Sequence, residues 1–549
     1  MDTSLFWADQ KVQEMVDRES YHFLDRPVPE MDEYVVKTSA SLSGVLHIGR
    51  LSDTIRADSI VSALRDGGTP TRLIWVAEDM DPFRKVPEGV PDDYERYLGM
   101  PVTDVPDPEG CHDSYARHHQ SEYLDVIHQF VANEVEIFST RDEYRKGTFR
   151  PFIEKIMRGK ERVREILERY RDSELSERWS PWKPICSECG KIITPQVLRT
   201  EGTTVEYECR DYQFEKAVAR GCGHRGEADA TEDDGKLLWK GEWATEWARW
   251  KVSCEGGGKE YEVPTSAWWV NGEIVERVLD FPMPTPFFYE HLMIEGTKMS
   301  ASLGNVVYPS QWLEVAPAEL LRFLYNKKLM KTRSFSWSDL PRLYSDYDRH
   351  ADVYYGITVP SNEKERHHMV RLYEISQIEP PPKRKPVSVE FSFASLIAQI
   401  YDPETQLEDA VEALRRSGVV GQDLDRADYR AIRQRLLFGQ RWVEEHVPDQ
   451  ALTIAKEPDP GYVSTLKDEE IRAVEEVAGV IGGESDPESI QSGVFSAAKS
   501  EGLKPGKLFK ILYVLILKRR SGPRFGPLVM ALGPEEVKDI LKRAASVSR

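Results

Sequence analysis

Residues 34–79 constrain the fold more than any other stretch of the chain. YVVKTSA is a short apolar run, and SLSGVLHIGR is a turn containing glycines. LSDTIRADSIVSALRDGG reads as a helix that stops on glycines, and TRLIWVAED is a second apolar run. Strand, turn, helix and strand in that order make a βαβ unit, which needs a parallel sheet. Within the turn, Gly44 and Gly49 let the backbone approach a ligand, and the helix start attracts anions. His47 there is placed to donate hydrogen bonds to phosphate oxygens. Alone, a His-x-Gly at a helix start is usually structural.

The rest of the chain fits a multidomain protein. Its 549 residues suffice for three or four domains with sizeable cores. No apolar run is long enough to span a bilayer, and the start, MDTSLFWADQKVQEMVDRES, reads as an amphipathic helix and not as a signal peptide. Six cysteines, four of them clustered, point to a reducing cytoplasm and not to a disulfide framework. The net charge of −20 disfavours nucleic acid as a partner for the whole surface. Residues 501–549 reverse that sign, with eleven Lys/Arg against four Asp/Glu. A polyanion is therefore admissible at that end.

Residues 114–179 are charged and helix-rich, 183–228 carry the cysteine cluster, and 236–290 return to mixed α/β with many aromatics. EPPPKRKP at 379–386 is a proline-rich linker, and 390–549 is helical throughout. The expected organisation is a Rossmann-type α/β parallel-sheet catalytic domain over 1–290, with a helical and zinc-module insertion at about 114–235. A loop and helical segment over 291–378 and an all-α domain over 387–549 complete it.

IEGTKMSASLGNVV, residues 294–307, places Lys298, Ser300 and Ser302 on one loop, with Gly304 after them. Nucleotidyl transfer is catalysed mainly by positioned positive charge on developing oxyanions. Together HIGR and KMSAS resemble the HIGH and KMSKS signatures of class I aminoacyl-tRNA synthetases. Their order and separation of about 250 residues fit that class. WVAEDMDPFRKVP at 75–87, YLGMPVTDVPDPEGCHDSYARHH at 97–119 and GKLLWKGEWATEWARW at 235–250 are similar to the class I lysyl-tRNA synthetase family. So is LFKILYVLILKRRSGPRFGPLVMALG near the C-terminus. The resemblance covers nearly the whole chain.

The resemblance implies ATP- and Mg²⁺-dependent activation of L-lysine to lysyl-adenylate, then transfer to tRNA(Lys), by a cytoplasmic monomer without a membrane partner. It implies an anticodon-reading C-terminal helical domain. His47 and Gly49 match the first signature, and Lys298, Ser300 and Ser302 match the second. Arg50 stands where His or Asn is usual. Ala301 stands where the class often has a second Lys and this family commonly a small residue, so Lys298 is left as the loop's cation. Ser41 and Ser43 match pocket positions before the first signature, and Tyr289 an aromatic before the second. The family places a pocket tryptophan on the 235–250 helix, and of Trp243 and Trp247 the choice falls on Trp247. Tyr261 replaces the family's lysine-site His, and Glu260 the Asp before it.

A lysine substrate needs acidic acceptors and flat apolar walls. Glu78, Asp79 and Asp81 close a predicted strand, where open α/β sheets bind ligands, so Asp79 and Asp81 are candidate pocket acids. Two other readings remain: a paralog of the same fold for another amino acid, the glutamyl type being nearest, and a tRNA-binding factor without catalysis. Separately, Cys186, Cys189, Cys209 and Cys222 form a pattern for structural zinc, with His224 as an alternative to Cys222. Cys111 and Cys254 fall outside it, with core packing the default for Cys111. Aromatics of the last domain, Phe509, Tyr513 and Phe525, are read as core in preference to base-stacking platforms.

Overall fold

The computed structural model describes residues 6–41, 47–87, 89–299, 305–452, 454–482 and 485–547. Ser43, Gly44, Ser300 and Ser302 lie outside the described residues. The chain divides into two compact units. The first comprises 1–312, 317–335 and 359–381, and the second 313–316, 336–358 and 382–549.

The first unit is built on five parallel strands: β1 (Tyr34–Ser41), β2 (Thr71–Glu78), β3 (Val135–Ser139), β4 (Val252–Gly258) and β5 (Thr285–Tyr289). Their order across the sheet is β5-β4-β1-β2-β3. The chain leaves β1 toward β2 on one side and returns at β4 on the other. That reversal opens a crevice beyond the C-terminal ends of β1 and β4, where sheets of this kind bind ligands. The expected βαβ unit is present: α1 (Ile48–Asp66) joins β1 to β2 and ends at Gly67. Leu51, Ile55, Ile60 and Leu64 of α1 are fully buried, as are Ile74 and Val76 of β2. Fully burying such a side chain contributes about 1.5–3 kcal/mol.

Polar groups also lock this layer. Asp58 of α1 accepts from the backbone N–H groups of Ala132 and Asn133, both at 3.0 Å, and pairs with the fully buried Arg322. Arg322 also donates to the carbonyls of Phe130, Ile375 and Ser376. This satisfies a buried charge pair that would otherwise cost several kcal/mol.

An insertion with small antiparallel sheets occupies 182–237, where Pro195–Glu201, Thr204–Cys209 and Arg225–Asp229 pair in sequence. A second helix, α2 (Trp239–Arg249), leads into β4. After β5, a hairpin of β6 (Leu292–Ile294) and β7 (Thr297–Lys298) brings Met293 opposite Lys298.

In the second unit every regular element from 391 onward is helical among the described residues. Phe525 is fully buried there, Tyr513 is 8% exposed, and Phe509 packs against the same core. These rings build the domain interior, in line with the core reading.

Candidate active site

A cavity of about 650 Å³ opens at the crevice beyond β1 and β4. His47, Gly49 and Arg50 from the start of α1 line it, together with Lys298 and Met299 from the hairpin. The two signatures meet directly. The Ile48 N–H donates to the Val307 carbonyl at 2.9 Å. A Cβ on Gly49 would lie 2.7 Å from the His47 ring and 2.8 Å from the Met299 methyl, so a side chain there would displace one or both. His47 caps α1, its Nδ1 accepting from the Gly49 N–H at 3.1 Å. That bond sets the tautomer and leaves Nε2–H as donor. Burial, with help from the Arg50 charge, depresses the His47 pKa to about 4. At neutral pH His47 therefore offers a hydrogen bond and no charge.

Carboxylates dominate the opposite wall, and most are already engaged. Ser39 donates to Glu78 at 2.7 Å and Ser41 to Asp81 at 2.9 Å. Lys236 pairs with Glu242 at 3.0 Å, and Tyr144 donates to Glu242 at 2.6 Å. Glu255 of β4 takes the fully buried Lys37 ammonium on Oε1 at 2.6 Å and the indole N–H groups of Trp243 and Trp247 on Oε2. Lys37 also reaches Glu246 at 2.9 Å. Burial alone would lower the Lys37 pKa, but Glu246 and Glu255 outweigh it and raise it.

Asp53, in the second turn of α1, is different. Its Oδ1 is sealed against Gly256 and has no hydrogen-bond partner, and a Cβ on Gly256 would stand 2.2 Å from it. Tyr289 lines the same cavity, and the Arg56 guanidinium lies 4.4 Å from the centroid of its ring. Burial, then the Glu255 charge, pushes the Asp53 carboxyl up to about 7. A buried carboxyl short of partners, at the wall of an open cavity, favours a cationic ligand. Nothing in its spacing marked Asp53 out in the sequence, where it reads as an ordinary helix residue.

The sequence-derived pocket residues separate in space. Ser41, Asp81, Tyr261 and Tyr289 line the cavity. Asp79 does not: it is buried on the other side of the strand end, accepting from Ser139 Oγ at 2.5 Å, Thr140 Oγ1 at 2.9 Å and the Arg141 N–H at 2.9 Å. It ties β2 to β3, and Glu78 takes the cavity-facing place. Trp247 is also displaced from the expected position. Along α2, Trp239, Trp243 and Trp247 are 49%, 8% and 0% exposed, a stripe running from solvent to core. Trp239 and Trp243 line the cavity, and Trp247 lies beneath, against Glu255 and Trp268. The Tyr261 ring meets Trp243 edge-on at 5.4 Å.

In the insertion, the sulfurs of Cys186, Cys189, Cys209 and Cys222 gather within 4.8 Å of one another. Cys186–Cys222 is 3.6 Å and Cys189–Cys209 is 3.7 Å. A tetrahedral Zn–S₄ site with bonds of about 2.3 Å has sulfurs about 3.8 Å apart. The donor set fits zinc. His224 is not part of this group: its Nε2 sits 3.2 Å from Ser187 Oγ. A second group of four was missed in the sequence. Asp107, Cys111, His112 and His118 also present ligand atoms within 4.8 Å of one another. Cys111 is exposed and not a core residue; its sulfur is 3.2 Å from Asp107 Oδ2 and 3.2 Å from His118 Nδ1. Burial works against the Asp107 charge. The Cys111 hydrogen bond and the Glu109 and His112 N–H groups nevertheless hold its pKa at about 2. Mixed thiolate, imidazole and carboxylate donors suit a divalent transition metal.

The family described as tRNA synthetases class I (K) matches residues 5–379. The chain belongs to this family of class I tRNA synthetases. A lysine–tRNA ligase from Methanosphaera stadtmanae is 30% identical to this synthetase over 537 residues, 94% of this chain and 98% of that one. One from Methanopyrus kandleri is 31% identical over 578 residues, covering both chains in full. Among solved structures, a glutamate tRNA ligase from Elizabethkingia meningosepticum aligns at a TM-score of 0.41 and 12% identity, over 94% of the synthetase and 100% of that chain. No helix among the described residues of the synthetase is long and apolar enough to cross a membrane.

Proposed function

We infer that this chain is a lysine–tRNA ligase that activates L-lysine with ATP to lysyl-adenylate and transfers the lysyl group to tRNA(Lys). The observation that carries the amino-acid choice is Asp53: among the described residues lining the cavity it is the carboxyl with a buried oxygen lacking a hydrogen-bond partner, whereas the other acids are committed to Lys37, Lys236, Ser39, Ser41 and His291. It suits an ε-ammonium. Trp243 and Tyr261 supply flat walls for the four methylenes. An acidic wall of this kind disfavours glutamate, the nearest alternative, whose side-chain carboxylate would be repelled.

In the reaction, a lysine carboxylate oxygen attacks the α-phosphorus, the bond to the bridging oxygen breaks, and pyrophosphate leaves with the electron pair. His47 donates Nε2–H to a phosphate oxygen, and Lys298 neutralises the leaving group. Mg²⁺ bound together with ATP would supply further positive charge toward the same neutralisation. Ser300 and Ser302 are assigned to the same loop by their signature alone. The exposed Lys518, Arg520, Lys542 and Arg543 of the second unit are proposed to face the tRNA backbone.

Incubating the protein with ATP, total tRNA and each amino acid in turn tests this reading. Charging by lysine is expected, charging by another amino acid sinks the specificity, and no charging at all supports a binding factor. Cys186, Cys189, Cys209 and Cys222 are proposed to hold a structural zinc, and Asp107, Cys111, His112 and His118 a second ion. Elemental analysis of the purified chain should then give about two metal equivalents, falling to about one in Cys111→Ala/His118→Ala. An unaltered metal count in that variant would remove the second centre.

A further inference from the structure

In the sequence of residues 294–307 Lys298 is the only cation. The structure sets another basic group beside it. His291 lies between β5 and β6, and its Nε2 is 3.0 Å from Glu260 Oε2 and 3.4 Å from Lys298 Nζ. One ring nitrogen cannot both donate to the carboxylate and accept from the ammonium. When Nε2 donates to Glu260, Lys298 is left adjoining a second donor, an arrangement that an incoming anion stabilises. Among the described residues, His291 Nδ1 has no hydrogen-bond partner.

The surroundings hold this group in place. Lys259 pairs with Glu290 at 2.9 Å beside the Glu260–His291 contact, so two rungs tie the 259–261 turn to the 290–291 turn. A Cβ on Gly258 would stand 2.5 Å from Glu260 Oε2, so glycine lets that carboxylate fold back toward His291. Both His291 and Lys298 line the cavity that His47 enters.

We propose that His291 is a second catalytic cation on the phosphate side of the adenylation step, with Glu260 as its positioning residue. The assignment rests on the synthetase reading. The imidazolium donates Nε2–H to Glu260 and Nδ1–H to an oxygen of the departing pyrophosphate, while Lys298 turns to the same group. The α-phosphorus to bridging-oxygen bond breaks, the electron pair leaves with pyrophosphate, and no proton changes hands.

Lysine-dependent ATP–pyrophosphate exchange, with tRNA present, tests this in His291→Gln and His291→Arg. Glutamine keeps a hydrogen bond to Glu260 without charge, and arginine keeps both. His291→Gln is expected to lower kcat about 10- to 100-fold with the KM for lysine and the melting temperature unchanged, and His291→Arg to recover most of the rate. A glutamine variant within about twofold of wild type, or an arginine variant as slow as the glutamine one, overturns the proposal. If the wild type exchanges only with another amino acid, the lysine reading fails and the same comparison is made with that substrate. Absence of exchange with any amino acid overturns both.

Discussion

Asp53→Ala is expected to lower kcat/KM for lysine by about 10²- to 10³-fold, the cost of leaving a desolvated ammonium without its carboxylate. The loss should fall on lysine and not on norleucine, which has no ε-ammonium, so selectivity between them collapses by the same factor. Asp53→Asn keeps the shape and should behave similarly. pH adds a second readout. The Asp53 carboxyl titrates at about 7 in the free protein, raised by burial and by Glu255. Below that pH it is neutral and cannot pair with the ammonium. The lysine KM should therefore fall between about pH 6 and pH 8, with a proton released on binding, and Asp53→Asn should flatten that slope. The stability term has the opposite sense. A carboxyl raised on folding stabilises the free protein most below its unfolded value of about 4, and that contribution is lost as pH rises to about 7. An unchanged kcat/KM in Asp53→Ala would move ammonium recognition to another wall of the cavity.

The difference between the acids recognised in the sequence and those at the site follows from strand geometry. Side chains alternate across a strand, so adjacent residues at the end of β2 face opposite sides. Glu78 reaches the cavity, and Asp79 reaches Ser139 and Thr140. Composition at a strand end shows that acids gather there, but a shift of one residue decides which of them meets a ligand. The tryptophans follow the same logic on a helix. Residues four apart share a face but sit one turn apart along the axis, so Trp243 and Trp247 occupy different depths.

Signature residues were legible because their chemistry is local: a helix start at His47 and Gly49, a basic loop at Lys298, a two-residue cysteine spacing at Cys186 and Cys189. The rest depends on residues brought together from afar. Lys37 alternates among apolar strand residues and looks misplaced until Glu246 and Glu255 stand beside it. With Lys37 bound, Glu255 can hold two indoles in fixed orientation, so the pocket wall is set before substrate arrives. Asp107, Cys111, His112 and His118 lie within one quoted block, yet only the loop that wraps its N–H groups around Asp107 turns their donors inward. The Pro-rich 379–386 linker falls where the first unit gives way to the second, between Pro381 and Pro382. Residues 336–358, taken in sequence with the preceding loop segment, belong instead to the second unit.

Lys298→Ala should lower kcat for adenylate formation by about 10²- to 10³-fold, the scale for one donor aimed at developing charge. The ground-state lysine contacts are proposed to lie with Asp53 and Trp243, so the KM for lysine should barely change. The decisive control separates the two half-reactions. Adenylation sends negative charge onto pyrophosphate, beside Lys298. Transfer from a preformed lysyl-adenylate to tRNA releases AMP and develops no charge there. The variant should therefore pass lysine from added adenylate to tRNA at close to the wild-type rate while failing to make adenylate. Lys298→Arg, which keeps the charge on a bulkier head, should recover part of the loss. Equal slowing of both half-reactions would mean that the β6–β7 hairpin had lost its fold, and a normal adenylation rate would remove Lys298 from the mechanism.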